Sequence, residues 1–285
     1  MRIRYGVRLV YEIAARSAFL LNVHAARTPR QIVVDERFLL TPALRWSVSV
    51  DPFTRNRIAA FDAPAGSLTV DYDALVDIEH RIVDPREVSA ESPAALPADT
   101  LPYIRPSRYC QADLVQKDAW DAFGQLPRDY AQVRAVRDWV CRTLRFRVGT
   151  STPATTVIDT LRDGVGVCRD FAHAMIAYCR ALNYPARIVT AVDYGADPAL
   201  GPPDFHAYVE VFIGGSWYIF DPTGISPVTG LLRIATGRDA ADVSFATLFG
   251  PVRTGMPHVR YAPVEEPALG IGLPQPTELA VSTAE

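Results

Sequence analysis

Cys168 occupies a position where a cysteine can become a nucleophile, at the start of a predicted helix. Gly164 and Gly166 break the preceding structure, and a helix-forming run continues from Cys168 until Asn183 and Pro185 end it. Most of this run is apolar or small, which indicates a central, buried helix. The N–H groups and partial positive charge of a helix N-terminus stabilise a thiolate. A cysteine here also fits simple packing, because unpaired cysteines are often small buried hydrophobes.

The remaining cysteines carry no comparable signal. Cys110, Cys141 and Cys179 occupy linker-adjacent, amphipathic and mid-helix positions, and we interpret all three as packing residues. The sequence contains no metal-ligand spacing, phosphate-binding loop or nucleotide-binding glycine signature. We therefore expect neither a metal nor another cofactor.

A thiolate nucleophile needs a histidine as its proton partner. Three of the histidines lie in the first part of the chain or near its tail: His24, His80 and His258. His173 follows Cys168 on the same helix, about 140° around the helix axis, and so cannot face the thiol. His206 is the remaining candidate.

His206 belongs to a predicted β-hairpin that also carries an aspartate. Residues 205–213 alternate between two faces, Gly214-Gly215 is a two-residue turn signal, and residues 217–221 form the returning strand. The predicted register has these cross-strand pairs: Phe212 with Trp217, Glu210 with Ile219, and Tyr208 with Asp221. Asp221 is then the diagonal neighbour of His206 on the same face.

Each member of this set also has a structural interpretation. His206 alone fits a hydrogen-bonded strand histidine, and Asp221 alone fits the first residue of an Asp-Pro-Thr-Gly turn. A helix-start cysteine followed by a geometrically paired histidine and aspartate is much rarer by chance. The combination favours nucleophilic catalysis.

Two groups of elements must position these residues. Alternating segments in the first 84 residues predict an antiparallel β-sandwich, and helical periodicity over residues 111–146 and 157–161 precedes the Cys168 helix. Five prolines between Pro85 and Pro106 predict an extended linker. We therefore predict an α+β protein with these parts: a β-sandwich at 1–84, a linker at 85–106, a catalytic core at 107–262 and a mobile tail at 263–285.

The composition excludes several function classes. The 285 residues include 29 basic and 32 acidic side chains, and a formal charge of −3 argues against a nucleic-acid-binding protein. No apolar run reaches the roughly 18 residues that a bilayer span needs. Charged residues between Arg2 and Arg16 argue against a secretory signal. Cysteine usage without CxxC spacing fits the reducing cytoplasm, where we expect the protein.

Three motifs closely resemble those of the bacterial transglutaminase-like superfamily, in the same order. They are Gly-Val-Cys-Arg-Asp-Phe-Ala-His (166–173), Asp-Phe-His-Ala-Tyr-Val-Glu-Val (204–211) and Trp-Tyr-Ile-Phe-Asp-Pro-Thr (217–223). The likeness extends over about residues 107–250, and the predicted sandwich resembles the β-rich domain that often precedes such a core. The resemblance implies a papain-like fold, in which a central helix bearing the nucleophile packs on an antiparallel sheet.

The resemblance also implies a mechanism. Cys168 attacks an amide carbonyl as thiolate, His206 transfers the proton, and Asp221 orients the imidazole. The backbone N–H of Cys168 is one expected oxyanion donor, and the loop Gly149-Thr150-Ser151 is a candidate for the second. The substrate is expected to be a peptide or protein. Two activities are left open: a cysteine peptidase or amidase, and a transglutaminase with an amine acceptor. A catalytically silent binding scaffold is the third alternative.

The surroundings of the site carry no specificity signature. We expect the cleft walls at residues 193–204 and 223–232, which contain glycine, proline and aspartate. Asp239 and Asp242 fit local backbone capping better than substrate contact. The sequence does not indicate an oligomeric state.

Overall fold

A computed structural model describes residues 1–196 and 203–284. The fold is α+β, as predicted, and its sheets are antiparallel apart from one parallel pair of two-residue strands. The elements of the first part, in chain order, are β1 (Arg2–Ile13), β2 (Ser17–Leu21), β3 (Gln31–Thr41), β4 (Ser47–Val50), β5 (Arg57–Ala63), β6 (Gly66–Ile78) and β7 (Arg81–Val83). The middle part contains α1 (Gln116–Phe123), α2 (Tyr130–Thr143), β8 (Arg145–Phe146), α3 (Val157–Asp163), β9 (Val165–Gly166) and α4 (Cys168–Ala181). The last part contains β10 (Ala186–Asp193), β11 (His206–Ile213), β12 (Ser216–Phe220), β13 (Leu231–Gly237), β14 (Ala246–Phe249), β15 (Val252–Thr254), β16 (His258–Val264) and β17 (Ala280–Ser282).

The first domain consists of two sheets that pack through their apolar faces. One sheet has the order β15-β1-β6-β3, with β16 also on β1, and the other has the order β14-β2-β5-β4. Odd-numbered apolar residues of β1 point inward, and Tyr11 packs edge-on against Phe19 of β2 with ring centroids 5.1 Å apart. The period-two pattern of β1 thus buries one face of the strand, as alternation predicts.

Strands from the end of the chain complete this first domain. β14 pairs with β2, and both β15 and β16 pair with β1. The predicted core at 107–262 is therefore corrected, because residues 246–262 belong structurally to the two-sheet domain. These strands fill open edges of the sheets, a long-range pairing that local periodicity cannot show.

The segment predicted as a mobile tail is part of the fold. β17 pairs with β7, and Ala280 and Val281 are fully buried. Arg2 forms an ion pair with Glu266 at 2.5 Å. The apolar residues near the end of the chain are thus packed in the core. This corrects the prediction of a mobile tail at 263–285.

The predicted linker is built from short 3₁₀ turns. They span Pro85–Glu87, Pro93–Ala95 and Ala98–Tyr103. Proline occupies the first position of the first two turns, where a missing N–H costs nothing. Tyr103 is buried against Trp217 of β12, so the segment is attached to the core.

The second domain places one buried helix on a sheet. α4 contacts β10 and β11 of the antiparallel sheet β12-β11-β10-β13, and α1, α2 and α3 surround it. From Asp170 to Ala181 every residue of α4 is buried. A helix that is apolar around most of its surface needs such a central position.

Candidate functional site

Cys168 is the first residue of α4, where the sequence places it. The side chain of Asp170 caps this helix start, accepting a hydrogen bond from the N–H of Val167 at 2.8 Å. A Cβ atom at Gly166 would lie 2.6 Å from the Cβ of Asp170, so glycine is needed there for the chain to enter the helix. The Gly-Val-Cys-Arg-Asp sequence therefore determines how the thiol is presented.

The hairpin has the predicted register. Phe212 pairs with Trp217 and Glu210 with Ile219. The pairing continues to Val209 and Phe220, and Phe220 directly precedes Asp221. The side chains of His206 and Asp221 meet on the same side, with Nε2 of the ring 3.1 Å from Oδ2 of the carboxylate.

Hydrogen bonds fix the orientation of Asp221. Its Oδ1 accepts from the N–H of Thr223 at 2.9 Å and from the Thr223 hydroxyl at 2.7 Å. Its Oδ2 forms the hydrogen bond to Nε2 of His206 and also accepts from the N–H of Ser226 at 3.4 Å. The Asp-Pro-Thr turn thus positions the carboxylate for the imidazole, so the turn role and the pairing role coexist.

The pKa values of the pair diverge. Burial alone would lower the pKa of His206, but the charge and hydrogen bond of Asp221, with the Cys168 side chain, raise it well above 6.5. Burial alone would raise the pKa of Asp221, but the charge of His206 and hydrogen bonds from His206 and Thr223 lower it below 3.8. Both shifts favour the imidazolium–carboxylate form of the pair.

His206 interacts with Cys168 and Asp221 at once. Its Nε2 is engaged by the carboxylate, and the ring also interacts with the side chain of Cys168. Nδ1 is then the ring nitrogen available to the sulfur. An imidazolium beside a cysteine at a helix start is the arrangement in which thiolate nucleophiles occur.

Cys168 and His206 open into a cavity of about 470 Å³. Apolar residues from several elements line much of it: Val167, Ile188, Phe205, Ala207, Ala240, Val243, Phe245, Ala246 and Pro257. Ser151, Arg169, Thr190, Asp204 and Ser244 add polar atoms. A mostly apolar cleft with a few convergent polar groups is typical of a substrate site.

The cleft walls differ from those expected. Of residues 193–204, Asp204 lines the cavity, and 197–202 lie outside the described residues. Residues 224–228, from the second expected wall, line a separate cavity, which Asp221 also lines. The wall comes instead from residues 240–246 and Pro257, because the segment after β13 packs on α4, where the N–H of Ala240 donates to His173.

The candidate oxyanion donors differ in whether they reach the cavity. Cys168 begins α4, so its N–H has no carbonyl partner within the helix. Ser151 lines the cavity, but its hydroxyl donates to Oδ1 of Asp170 at 3.0 Å. Gly149 is not among the lining residues, and the Thr150 hydroxyl donates to Arg147 O at 2.8 Å. The structure therefore brings Ser151, but not Gly149, to the cleft.

His173 has a different contact from His206. Its Nε2 accepts a hydrogen bond from the N–H of Ala240 at 3.1 Å, and its ring stacks on Tyr109. Desolvation by burial lowers the pKa of His173 to about 3, so the ring is neutral. His173 thus connects α4 to a cleft wall, a role that the helical-wheel argument did not predict.

Asp239 and Asp242 cap backbone groups, as expected. Asp239 accepts from the N–H groups of Tyr109 and Ala241, each at 3.0 Å. Asp242 accepts from the N–H of Arg238 at 2.9 Å. Both residues hold the turn that leads into the cleft wall.

The other three cysteines differ in their exposure to solvent. Cys110 and Cys179 are buried, and desolvation raises the pKa of Cys110 to about 12 and that of Cys179 further. Cys141 is exposed rather than packed, which corrects our interpretation of that residue. It lies on α2 with Sγ 3.8 Å from Thr223 O. Cys141 therefore provides an internal reference for thiol reactivity.

Residues 1–196 and 203–284 lack two kinds of feature. No group of three or more His, Cys, Asp or Glu residues is arranged to hold a metal ion there. Within the same ranges, no helix has the length and apolarity of a membrane span.

Comparisons with known proteins identify the family of this chain. The profile of the transglutaminase-like superfamily matches residues 121–222, and that of the bacterial transglutaminase N-terminal domain matches residues 1–98. A crystal structure of a candidate cysteine protease from Cytophaga hutchinsonii is 35% identical, covers 99% of this chain and 97% of its own, and superposes with a TM-score of 0.91.

More distant relatives also match. The uncharacterized protein ML0607 of Mycobacterium leprae is 26% identical over 257 residues, covering 86% of this chain and 90% of its own. The periplasmic domain of TgpA from Pseudomonas aeruginosa is 19% identical, with a TM-score of 0.37 over 77% of this chain and 88% of that one. The cytoplasmic location expected for the present chain stays a prediction. From its profiles and its Cytophaga relative, the chain belongs to the transglutaminase-like superfamily.

Proposed function

We propose that this protein is a thiol enzyme that cleaves peptide or amide bonds with Cys168, His206 and Asp221. The observation that carries the proposal is the buried His206 ring, which is hydrogen-bonded to Asp221 and lines the same cavity as Cys168. A histidine whose pKa is raised in this way remains charged next to the sulfur. The relative from Cytophaga hutchinsonii, described as a candidate cysteine protease, supports the same reaction class.

The chemistry follows from the positions of these groups. The sulfur of Cys168 attacks the carbonyl carbon, and the oxygen develops negative charge near the start of α4, where the Cys168 N–H stabilises it. His206 gives its proton to the leaving amine, which departs and leaves an acyl-thioester. His206 then takes a proton from water, and the hydroxide attacks the thioester carbonyl. The C–S bond breaks, which releases the acid and restores the thiolate beside the charged His206. Asp221 keeps the ring oriented throughout.

Hydrolysis is the proposed fate of the acyl-enzyme. Water attacks such a thioester unless the site excludes it and binds an amine. Among the described residues, the cleft lining contains one acidic side chain, Asp204; apart from Cys168 and His206, the rest are apolar groups, hydroxyls and Arg169. This lining fits a peptide better than it fits an ammonium acceptor.

The activity can be tested with fluorogenic peptide amides. We expect Cys168-dependent release of the amine, lost in Cys168→Ala and retained in the matched variant Cys141→Ala. Equal rates for the wild type and Cys168→Ala would overturn the proposal.

A labelled amine distinguishes hydrolysis from acyl transfer. The enzyme is mixed with a glutamine-containing peptide and a labelled primary amine. Shortened peptide or ammonia should form faster than the labelled adduct. Faster incorporation of label would make the protein a transglutaminase instead.

A further inference from the structure

The edge of the second sheet of the first domain is open beside the active site. β14 (Ala246–Phe249) pairs with β2, and the order β14-β2-β5-β4 leaves no strand on its other side within the described residues. The N–H of Asn22 donates to Phe245 O at 2.9 Å. Because backbone groups alternate in direction along an antiparallel strand, those of Ala246 and Leu248 point away from β2.

This edge lacks the usual protection against strand pairing. Native edge strands are commonly blocked by charges or proline, and the edge strand β3 carries Asp35, Glu36 and Arg37. β14 has the sequence Ala-Thr-Leu-Phe, without a charge or a proline. Its last residue, Phe249, is 59% exposed. An exposed, uncharged edge is suited to receive another strand.

The edge is continuous with the catalytic cleft. Ala246, the first residue of β14, lines the same cavity as Cys168 and His206. The preceding residue, Phe245, stacks on Phe205 with ring centroids 5.0 Å apart, and Phe205 adjoins His206 in sequence. A chain that leaves the sulfur along this wall therefore reaches the free backbone groups of β14.

We propose that the free edge of β14 binds the main chain of an extended peptide substrate as an added strand. This deepens the proposed function and rests on it. Main-chain hydrogen bonds give affinity for many sequences, while alternate side chains enter the apolar cleft. Four strand residues span about 13 Å, so about four residues on one side of the scissile bond are engaged. The substrate class is then unfolded or flexible segments of protein rather than small amides.

A series of substrates of increasing length tests this proposal. Peptides with the same cleaved bond are extended by one to six residues, separately on the two sides. We expect kcat/KM to rise about tenfold or more over the first four residues on one side and then to level off. An increase on neither side would overturn the proposal.

Substituting the substrate backbone removes single hydrogen bonds without changing the protein. In the longest good peptide, each amide on the sensitive side is replaced in turn by an ester, which lacks the N–H. We expect losses at alternate positions, because only every second residue points toward β14. Equal losses at adjacent positions, or none, would contradict strand pairing.

Two matched proline variants complete the test. Ala246→Pro removes an N–H that points outward from β14. Val50→Pro removes an outward-pointing N–H from β4, the opposite edge of the sheet. The next residue, Asp51, donates its N–H inward to Asn56 O at 2.9 Å, so that of Val50 points outward. The ratio of kcat/KM for long and short peptides should fall toward one in Ala246→Pro and stay at the wild-type value in Val50→Pro. Similar ratios in both variants would overturn the proposal.

Failure of the inference can be told from failure of the proposed function. Hydrolysis of 4-nitrophenyl acetate needs the thiol but no peptide main chain. If Cys168-dependent ester hydrolysis occurs without any length effect, strand pairing is wrong and the thiol chemistry stands. If no Cys168-dependent hydrolysis occurs with any substrate, the proposed function itself fails.

Discussion

At the scale of single residues, the site depends on the balance of two effects at His206. Desolvation favours a neutral ring, and the adjacent Asp221 favours a charged one. Because the carboxylate is itself oriented by Thr223, the attraction prevails and the pKa of His206 is raised. His173 shows the opposite outcome on the same helix as Cys168, since burial lowers its pKa to about 3.

Replacing Asp221 by asparagine should lower the pKa of His206, because the attraction that offsets desolvation of the ring is lost. Asp221→Asn keeps the shape but removes the charge, so burial would then dominate and the ring would lose its proton. We expect kcat/KM to fall by about 10²–10⁴, as for other enzymes that lose the orienting carboxylate. The exposed Asp62→Asn is the matched control. Peptide hydrolysis measured from pH 5 to 9 checks this, and a loss below threefold would contradict the assigned role.

The same pair makes folding stability depend on pH. His206 has a raised pKa, so its contribution is complete below about 6.5 and is lost as pH rises through the folded-state value. Asp221 has a lowered pKa, so its contribution is present above about 3.8 and is lost as pH falls through its folded-state value. The difference in unfolding free energy between wild type and Asp221→Asn should be largest between about pH 4 and 6.5. Denaturant titrations that show this difference growing toward pH 9 would contradict the ion pair.

At the scale of elements, the entry to α4 determines where the sulfur lies. Gly166→Ala would place a Cβ atom 2.6 Å from the Cβ of Asp170. We expect destabilisation by about 1–3 kcal/mol, together with lower activity, because the helix start must shift. Gly272→Ala is the control, since no atom lies within 4 Å of its added Cβ. Thermal unfolding measures both variants, and equal melting temperatures would show that Gly166 is not needed for the turn.

The hairpin was predictable from sequence, and the cleft wall was not. Gly214-Gly215 is a local turn signal, and the alternation on both sides specifies the register that pairs His206 with Asp221. The wall at 240–246 depends on where the chain goes after β13. That path is determined by the pairing of β14 with β2, more than 200 residues earlier in the chain.

At the scale of the whole molecule, the end of the chain completes the domain that begins it. β15 and β16 pair with β1, and β17 pairs with β7. The α+β class and the core helix could be predicted because their patterns are local. The boundary at 262 and the mobile tail were wrong because short strands such as β15 and β17 are stabilised by distant partners.

A substitution in β17 measures how much the end of the chain contributes to the free energy of unfolding. Val281 is fully buried in β17, whereas Leu269 is 65% exposed. We expect Val281→Ala to lower the free energy of unfolding by about 2 kcal/mol, because it leaves a cavity. Leu269→Ala should change the same quantity by less than about 0.5 kcal/mol. No loss in Val281→Ala would mean that the tail contributes nothing to the folded state.

The most direct measurement of the central claim is the rate of alkylation of each cysteine by iodoacetamide, followed by peptide mass spectrometry at several pH values. If His206 remains charged beside Cys168, this cysteine should react much faster at pH 6 than the exposed Cys141, which serves as the reference in the same molecule. His206→Ala should remove the advantage. A Cys168 that reacts no faster than Cys141, or one whose rate is unchanged by His206→Ala, would contradict the account.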